Sequence, residues 1–254
     1  MSAKDRIKEA IKTGVPDPIV FRISPPIIEW YSKAATWCIC GRHYEAPINP
    51  TDLIYVDPTD VEEMMTDDSR SHLNHSNVIS EVIDGPWDEL TRPLSDYHLY
   101  RSFQSHFEEG VPWEHTELYE VRKQRFAQGE YNWGCENMTE FESRLDTLDQ
   151  MFINIKKEGY KSQRELRSHD GSDIALRDIH RYWPPELHEV IINIGREGKL
   201  ILHDGRHRLS IAKILEIDEI PVRVKVRHED WQGVRDDKIA DNTRQTDDHP
   251  DLRF

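Results

Sequence analysis

The sequence of residues 187–228, LHEVIINIGREGKLILHDGRHRLSIAKILEIDEIPVRVKVRH, decides the fold of this chain. Residues 190–194 form a β-branched run, and residues 195–198 form a glycine-flanked turn before a second apolar run. After an Asp-Gly break the apolar residues take helical spacing. Beyond Pro221, valines alternate with basic residues, as in a strand whose side chains point to opposite faces. The pattern predicts a hairpin, a helix and a third strand.

The junction between the second strand and the helix carries the chemistry, and it reads His203-Asp204-Gly205-Arg206-His207-Arg208. A helix that begins here offers unpaired backbone N–H groups and the positive end of its dipole. Gly205 lets a ligand approach the backbone closely, and arginine suits bidentate binding of phosphate. The junction therefore predicts an anion site. The alternative is that Asp204 only caps the helix while Arg206 and Arg208 are solvated.

The same stretch resembles the core of the ParB/sulfiredoxin superfamily, whose members carry a Gly-x-(His/Arg)-Arg element at this junction. Upstream, residues 148–159, LDQMFINIKKEG, are similar to the family's helix, which has a leucine, a Ser-Ile pair, a basic pair and a glycine. The resemblance covers about residues 140–228, roughly a third of the chain. It implies a small mixed sheet with flanking helices.

Members of this superfamily differ in chemistry at the junction. Sulfiredoxins carry their reactive cysteine where this chain has Arg206, so peroxiredoxin repair is not expected. ParB proteins of chromosome segregation bind the triphosphate of CTP with an element that Gly205 and Arg208 match, although its acidic residue is missing here. Archaeal free-serine kinases and DGQHR proteins share the Asp-Gly before a basic pair. This likeness transfers Asp204, Gly205, His207 and Arg208 and implies nucleotide or phosphate binding.

The composition limits the classes of function that we expect. The chain has 254 residues, a formal net charge of −15 and a pI near 5.3, which argues against broad attraction to nucleic acid or anionic membrane. It contains no apolar run of membrane-spanning length and no signal-peptide pattern at its polar start. Three cysteines do not make a disulfide framework. We expect a soluble cytoplasmic protein with no membrane partner.

The predicted fold class is α+β, in three segments. Residues 1–135 form an unassigned N-terminal α+β region, residues 136–232 form the ParB/sulfiredoxin-like domain, and residues 233–254 form an acidic, disordered tail. Within the first segment, residues 1–14 show a weak amphipathic helical pattern, and residues 60–77 are polar and uneven, which is typical of a surface loop.

The sequence also predicts a helix before Gly159 and a long loop after it. Thr139 and Glu142 have the spacing of a capping box, and a clean apolar stripe follows as far as Gly159. Residues 160–186 then connect this helix to the hairpin and contain a polar cluster at 177–181. Loops of this length are uncommon unless functional, so this one is a candidate lid over the junction.

The leading hypothesis is phosphate chemistry on a nucleotide. Gly205, Arg206, His207 and Arg208 would bind the phosphates of a nucleoside triphosphate or diphosphate with Mg²⁺. Asp204 and His207 are the candidate catalytic residues, and Asp204 would bind the magnesium ion or act as a base toward an acceptor hydroxyl. The expected activity is hydrolysis of a nucleoside triphosphate or phosphoryl transfer.

Two alternatives belong to other classes. A non-catalytic ParB-like module could bind nucleotide as a switch, or bind DNA through basic residues: Arg206, Arg208, Arg223, Lys225 and Arg227. A purely structural role would have His203, His207 and Asp204 form a buried hydrogen-bond network that fixes the loop. The pattern leaves the base of the nucleotide, the acceptor and the oligomeric state open.

Overall fold

The structure is a computed structural model that describes residues 18–71, 73, 76, 78–130, 133–169, 183–241 and 249–253. The helix expected over residues 1–14 and the polar cluster at 177–181 lie outside these ranges. No helix within them is long and apolar enough to cross a membrane.

One mixed sheet organises the described chain. Its strands are β1 (Leu53–Val56), β2 (Glu63–Met65), β3 (Glu81–Ile83), β4 (Thr91–Pro93), β5 (Val190–Ile194), β6 (Leu200–Asp204) and β7 (Ile220–His228). Their order across the sheet is β1-β7-β5-β6-β2-β4, and β3 pairs with the far end of β7. The pairs β5–β7, β3–β7 and β2–β6 are parallel, and the others are antiparallel.

Helices flank this sheet. They are α1 (Pro18–Ile39), α2 (Asp67–Ser71), α3 (His98–Phe107), α4 (Glu117–Ala127), α5 (Met138–Glu158), α6 (Gln163–His169), α7 (Arg206–Ile214) and α8 (Glu229–Ala240). The α+β class, with a mixed sheet and flanking helices, is therefore confirmed.

The hairpin, helix and strand predicted over residues 187–228 are present as β5, β6, α7 and β7. All five residues of β5 and all nine of β7 are buried, because both strands lie in the middle of the sheet and are covered on both faces. The basic residues of β7 are therefore inside the protein, although the alternating pattern placed them on a face of their own.

The core lies mainly on one face of the sheet. Leu202 and Val224 on this face pack with residues of the helical layer, including Phe103 of α3, Leu148 of α5 and Leu209 of α7. A smaller apolar cluster occupies the opposite face and contains Met65, Leu73, Trp87, Ile201 and Val226. Adjacent residues of a strand point to opposite faces, so β6 contributes to both clusters.

The N-terminal half supplies four strands to the same sheet. Leu53 of β1 and Glu81 of β3 lie opposite residues of β7, and Glu63 of β2 lies opposite Ile201 of β6. The boundary near residue 135 therefore separates neither two sheets nor two cores. The loop expected over residues 60–77 contains β2 and α2 instead, because a three-residue strand paired on both sides needs no alternating pattern of its own.

The acidic tail expected over residues 233–254 is ordered where it is described, which corrects that prediction. Helix α8 continues to Ala240, and Asp251 is 3% exposed. Its carboxylate accepts bonds from Arg227 Nε at 2.9 Å and Nη2 at 2.5 Å and from Trp231 Nε1 at 2.9 Å, and it lies 3.2 Å from Arg235 Nε. A buried carboxylate that contacts two buried guanidiniums holds residues 249–253 in place. Residues 242–248 lie outside the description.

We expect Asp251→Asn to lower the free energy of unfolding by about 3–5 kcal/mol at pH 7, because it leaves two buried guanidiniums without their counter-charge. Burial alone would raise the pKa of Asp251, but Arg227 and Arg235 outweigh it and hold the pKa below its ordinary value. The carboxylate thus stabilises the fold above the ordinary pKa of about 4, and this contribution is lost as the pH falls through the lower folded value.

Urea unfolding of parent and variant from pH 7 downward measures this difference, which should narrow below about pH 4. The matched control is Asp146→Asn, an exposed aspartate in the middle of α5. Equal stability of the two variants at pH 7 would contradict the role given to Asp251.

Candidate functional site

Two neighbouring parallel strands end at the same edge of the sheet, and each is followed by a helix. Strand β2 leads through Thr66 into α2, and β6 leads through Gly205 into α7. Met64 lies opposite Leu202 in this pair, and antiparallel β4 places Arg92 opposite Met64 on the other side. Ligand crevices in sheets of this kind lie outside the carboxyl ends of the strands.

An open cleft of about 660 Å³ lies at this edge. It is lined by Met64, Met65, Thr66, Asp67, Asp68, Arg70, Arg92, Asp204 and Arg206. The volume lies within the usual range of small-molecule sites, about 300–1,000 Å³. Three arginines and three aspartates line it, so its chemistry suits a charged ligand.

Tyr97 brings two of these arginines to one place. Arg206 Nη1 donates a hydrogen bond to the Tyr97 hydroxyl at 3.0 Å. The Cζ atoms of Arg92 and Arg206 lie 4.8 Å and 5.8 Å from the centre of the Tyr97 ring, within the range of cation–π attraction. The phenol therefore orders two guanidiniums that come from β4 and from α7.

Arg70 forms the third cationic wall of the cleft. Its Nη2 donates to the main-chain carbonyl of His203 on β6, which ties α2 to the neighbouring strand. Burial lowers the pKa of Arg70, and the negative charge of Asp204 acts in the opposite direction. Asp204 Oδ1 accepts a hydrogen bond from Gly205 N at 2.8 Å, so the carboxylate is held at the mouth of α7.

Gly205 is required by the backbone at this junction. Its φ is +92°, in the left-handed region, and a Cβ here would lie 2.9 Å from Val190 Cα and 3.1 Å from Val190 Cγ2. The close approach that glycine permits is thus the approach of α7 to β5. This turn directs Asp204 and Arg206 into the same cleft.

His207 and Arg208 do not line this cleft, and the phosphate-binding roles expected for them stay predictions. The His207 ring stacks on Phe103, with 5.9 Å between ring centres, and meets Trp133 edge-on at 4.7 Å. Arg208 is 8% exposed, and its Nη1 donates to Glu189 Oε2 at 3.0 Å. Successive residues of a helix point about 100° apart, so a run of basic residues cannot face one ligand.

A buried polar network lies behind the cleft. His203 Nδ1 is 3.2 Å from Asn193 Nδ2, and His203 Nε2 is 3.2 Å from Lys225 Nζ. Both distances are within hydrogen-bonding range, so the imidazole lies between the Asn193 amide and the Lys225 amine. The network predicted for His203, His207 and Asp204 thus also involves Asn193 and Lys225, which are the side chains that contact the His203 ring nitrogens.

The electrostatics of this network follow from its burial. Burial first, and then the charge of Lys225, lowers the pKa of His203 to about 3, so the imidazole is neutral. Burial first, and then the charge of Arg223, lowers the pKa of Lys225 to about 8. Both side chains are less than a tenth exposed.

The basic residues proposed for DNA binding do not form a surface. Arg223 is fully buried and donates to the carbonyls of Pro50 and Ile79, and Arg227 is paired with Asp251. Lys225 is 3% exposed. Of the five residues in that hypothesis, Arg206 alone lies on the cleft, so this route to DNA has no basic face to use.

Sequence reasoning missed Arg70, Arg92 and Tyr97. One signal for α2 was present, because Thr66 precedes two aspartates, and Thr66 Oγ1 accepts a hydrogen bond from Ser69 N at 3.2 Å in the manner of a helix cap. No local signal marks Arg92 or Tyr97, since the pairing of β4 with β2 brings Arg92 to the cleft and Tyr97 is tied to the site through its contacts with Arg92 and Arg206.

Comparison with protein-family models, with curated proteins and with solved structures finds no match for this chain.

We expect the stability of the protein to rise with pH between about 8 and 10.4 through Lys225, because the unfolded chain binds this proton more tightly than the folded one. The slope for one such group is at most about 1.4 kcal/mol per pH unit. Lys225→Met should remove this slope. The measurement is the free energy of unfolding of parent and variant across this pH range. Lys199→Met, at an exposed position of the same sheet, should keep the parental slope.

Proposed function

We propose that the cleft binds the phosphates of a nucleotide, with Arg70, Arg92 and Arg206 as their ligands. The observation that carries this proposal is the convergence of three guanidiniums from three separate elements, α2, β4 and α7, beside Asp204. Arginine binds phosphate through two parallel hydrogen bonds, and three such groups around one site match the oxygens of a di- or triphosphate.

The start of α7 supports the same ligand. Arg206 is the first residue of this nine-residue helix, and its first turn contains no acidic residue. The unpaired N–H groups and the dipole of the helix favour an anion at this end. Because Arg206 also faces the cleft, the side chain and the helix end attract the same group.

Asp204 is the proposed reactive residue. Mg²⁺ is usually held in proteins by one or two carboxylates together with substrate phosphates, and Asp204 at the cleft is suited to be one of them. Within the described residues no group of three or more His, Cys, Asp or Glu side chains could hold a metal, so phosphate oxygens and water would supply the remaining ligands of such an ion. Bound magnesium would neutralise phosphate charge.

In the proposed reaction, Asp204 accepts the proton of a hydroxyl group or of water. The oxygen attacks the terminal phosphorus, and the bond between that phosphorus and the bridging oxygen breaks. The nucleoside diphosphate leaves with the electron pair of the broken bond. The arginines stabilise the charge on the transferred and leaving phosphates, which is the main requirement of phosphoryl transfer.

We also propose that residues 140–228 are ParB/sulfiredoxin-like. The order of a long helix, a hairpin, a helix that begins after Asp-Gly and a final strand supports this relationship. In this proposal the phosphate ligands are Gly205 and Arg206, while Arg208 anchors the start of α7 through Glu189, the residue just before β5.

We expect ATP, CTP, GTP, ADP or pyrophosphate, tested with and without Mg²⁺, to raise the melting temperature of the protein and to bind in calorimetry. Arg206→Gln and Arg92→Gln should each weaken this binding by about 10- to 100-fold, because each removes a charged hydrogen-bond donor worth about 1.5–3 kcal/mol.

Arg101→Gln is the matched control, because Arg101 is an exposed arginine on α3 that pairs with Glu117 away from the cleft. Its affinity should equal that of the parent. No binding by any of the five compounds, or equal losses in Arg206→Gln and Arg101→Gln, would overturn the phosphate site.

We expect Asp204→Asn to lower turnover by about 10²- to 10⁴-fold while nucleotide affinity changes little, because the amide keeps an oxygen for Gly205 N but cannot accept the proton. Release of phosphate from the nucleotide that binds is the measurement. Binding without turnover in the parent protein would leave the non-catalytic nucleotide switch as the function of the cleft.

A further inference from the structure

Helix α1 docks on the protein through small polar residues. Ser32, Thr36 and Cys40 at its end are buried and face residues 78–80, which lead into β3. The Ser32 hydroxyl donates to the carbonyl of Val78, Ser80 N donates to Thr36 Oγ1 at 3.1 Å, and Cys40 Sγ contacts the Ser80 carbonyl at 3.5 Å. These contacts fix the rotation of the helix about its axis.

The opposite face of α1 is apolar and exposed. Trp30 is 71% exposed, Trp37 is 59%, Tyr31 is 56% and Ile27 is 51%. With Ala34, the residues at positions 27, 30, 34 and 37 have the alternating three- and four-residue spacing of a coiled-coil seam. A helix whose polar side faces the protein and whose aromatic side faces solvent is inverted relative to an ordinary surface helix.

We propose that this face, defined by Ile27, Trp30, Tyr31, Ala34 and Trp37, binds the same face of a second copy of this chain. The two α1 helices pack antiparallel across a two-fold axis. Because such an interface is isologous, each contact occurs twice, with the roles of the two copies exchanged.

The exposed apolar area of this face is large enough for an interface with a second copy of the chain. Three aromatic side chains, each more than half exposed, present roughly 300–450 Å², given about 150–250 Å² for a whole aromatic residue. Ile27 and Ala34 bring the patch to about 500 Å². A standard interface buries about 800 Å² per partner, of which about 60% is apolar, so the patch supplies the apolar part of one interface.

The arrangement of side chains is also self-complementary. Ala34 is the small residue near the middle of the seam, and Trp30 and Trp37 lie on either side of it at nearly equal spacing. With Ala34 close to the axis, Trp30 of one copy packs against Trp37 of the partner subunit. Small residues at the crossing point let the two helix backbones approach closely, and the tryptophans fill the space beside them.

The charge of α1 allows two copies to meet. The whole chain carries −15, so two copies repel each other over most of their surfaces. The charged residues of α1, however, are Arg22, Glu29 and Lys33, so this helix carries no net negative charge, and Glu29 and Lys33 form an ion pair at 2.7 Å. A lipid surface is a poorer occupant, because helices that lie on membranes carry basic residues on their polar face, and the polar face of α1 is buried in the protein.

The first test is the mass of the full chain in solution, by light scattering after gel filtration and by sedimentation. We expect a dimer, and Trp30→Glu and Trp37→Glu should each raise its dissociation constant by at least about tenfold, since a central tryptophan is a typical hot spot. Ile153→Glu is the matched control, because Ile153 is also an apolar side chain more than half exposed, at 52%, on α5. It should leave the dimer intact.

A second test does not depend on how well these variants fold. Ala34→Cys in a Cys38→Ser background places a thiol close to the two-fold axis, and mild oxidation should link two copies, whereas Val234→Cys on exposed α8 in the same background should not cross-link. A parent protein that is monomeric at all concentrations, or a dimer that survives Trp30→Glu, would overturn the proposal. So would binding of a monomer to phosphatidylcholine vesicles that Trp30→Glu abolishes.

Discussion

The parallel pairing of β2 with β6 is the constraint on which the cleft depends. It joins a three-residue strand of the N-terminal half to the central hairpin, and it sets Met64 opposite Leu202. Glu63 strengthens the pairing, because its carboxylate forms an ion pair with Lys199, which lies just before β6. The same carboxylate accepts a hydrogen bond from the Thr91 hydroxyl on β4. Since α2 and α7 both begin where these strands end, the pairing alone brings the side chains of two distant segments to one edge of the sheet.

The basic residues that look alike in the sequence are divided by the fold into two groups. Three buried arginines have buried acids as partners: Arg208 pairs with Glu189, and Arg227 and Arg235 share Asp251. Such pairs fix the arrangement of elements, because removing one partner leaves a buried charge uncompensated. Arg92 and Arg206 instead contact Tyr97, a neutral side chain, and face the cleft with their charge available to a ligand. The first group stabilises the fold, and the second group lines the cleft.

The sequence predicted those elements that carry their own pattern. The β-branched run of β5, the Gly turn and the apolar stripe of α5 are local signals, and each element is present. The cap of α5 was misplaced by two residues, because Asn137 accepts the bond from Glu140 N at 3.0 Å in place of Thr139. Strand β2 and the placement of Arg70 and Arg92 were not predictable, since they depend on pairing across more than 100 residues of sequence. Helix geometry explains why Arg206, His207 and Arg208 do not lie together on the cleft. Neighbouring residues of a helix point about 100° apart, so each of these three side chains has a different environment.

Buried charged side chains behind the cleft add to the charge that a ligand in the cleft would experience. Lys225 and Arg223 are buried under the sheet edge, and Glu81 and Asp204 are the acids whose charge acts on Lys225. His203 adds no charge to this layer, because its pKa of about 3 leaves the ring neutral. Positive charge in a buried layer is poorly screened by salt, so it acts on the open side of the cleft, where Arg70 and Arg206 already lie. The three aspartates of the lining balance the three arginines only at the surface. With Arg223 and Lys225 included and Glu81 set against them, five cationic and four acidic side chains lie at or behind the cleft, and this balance favours the proposed phosphate ligand on a chain whose net charge is −15.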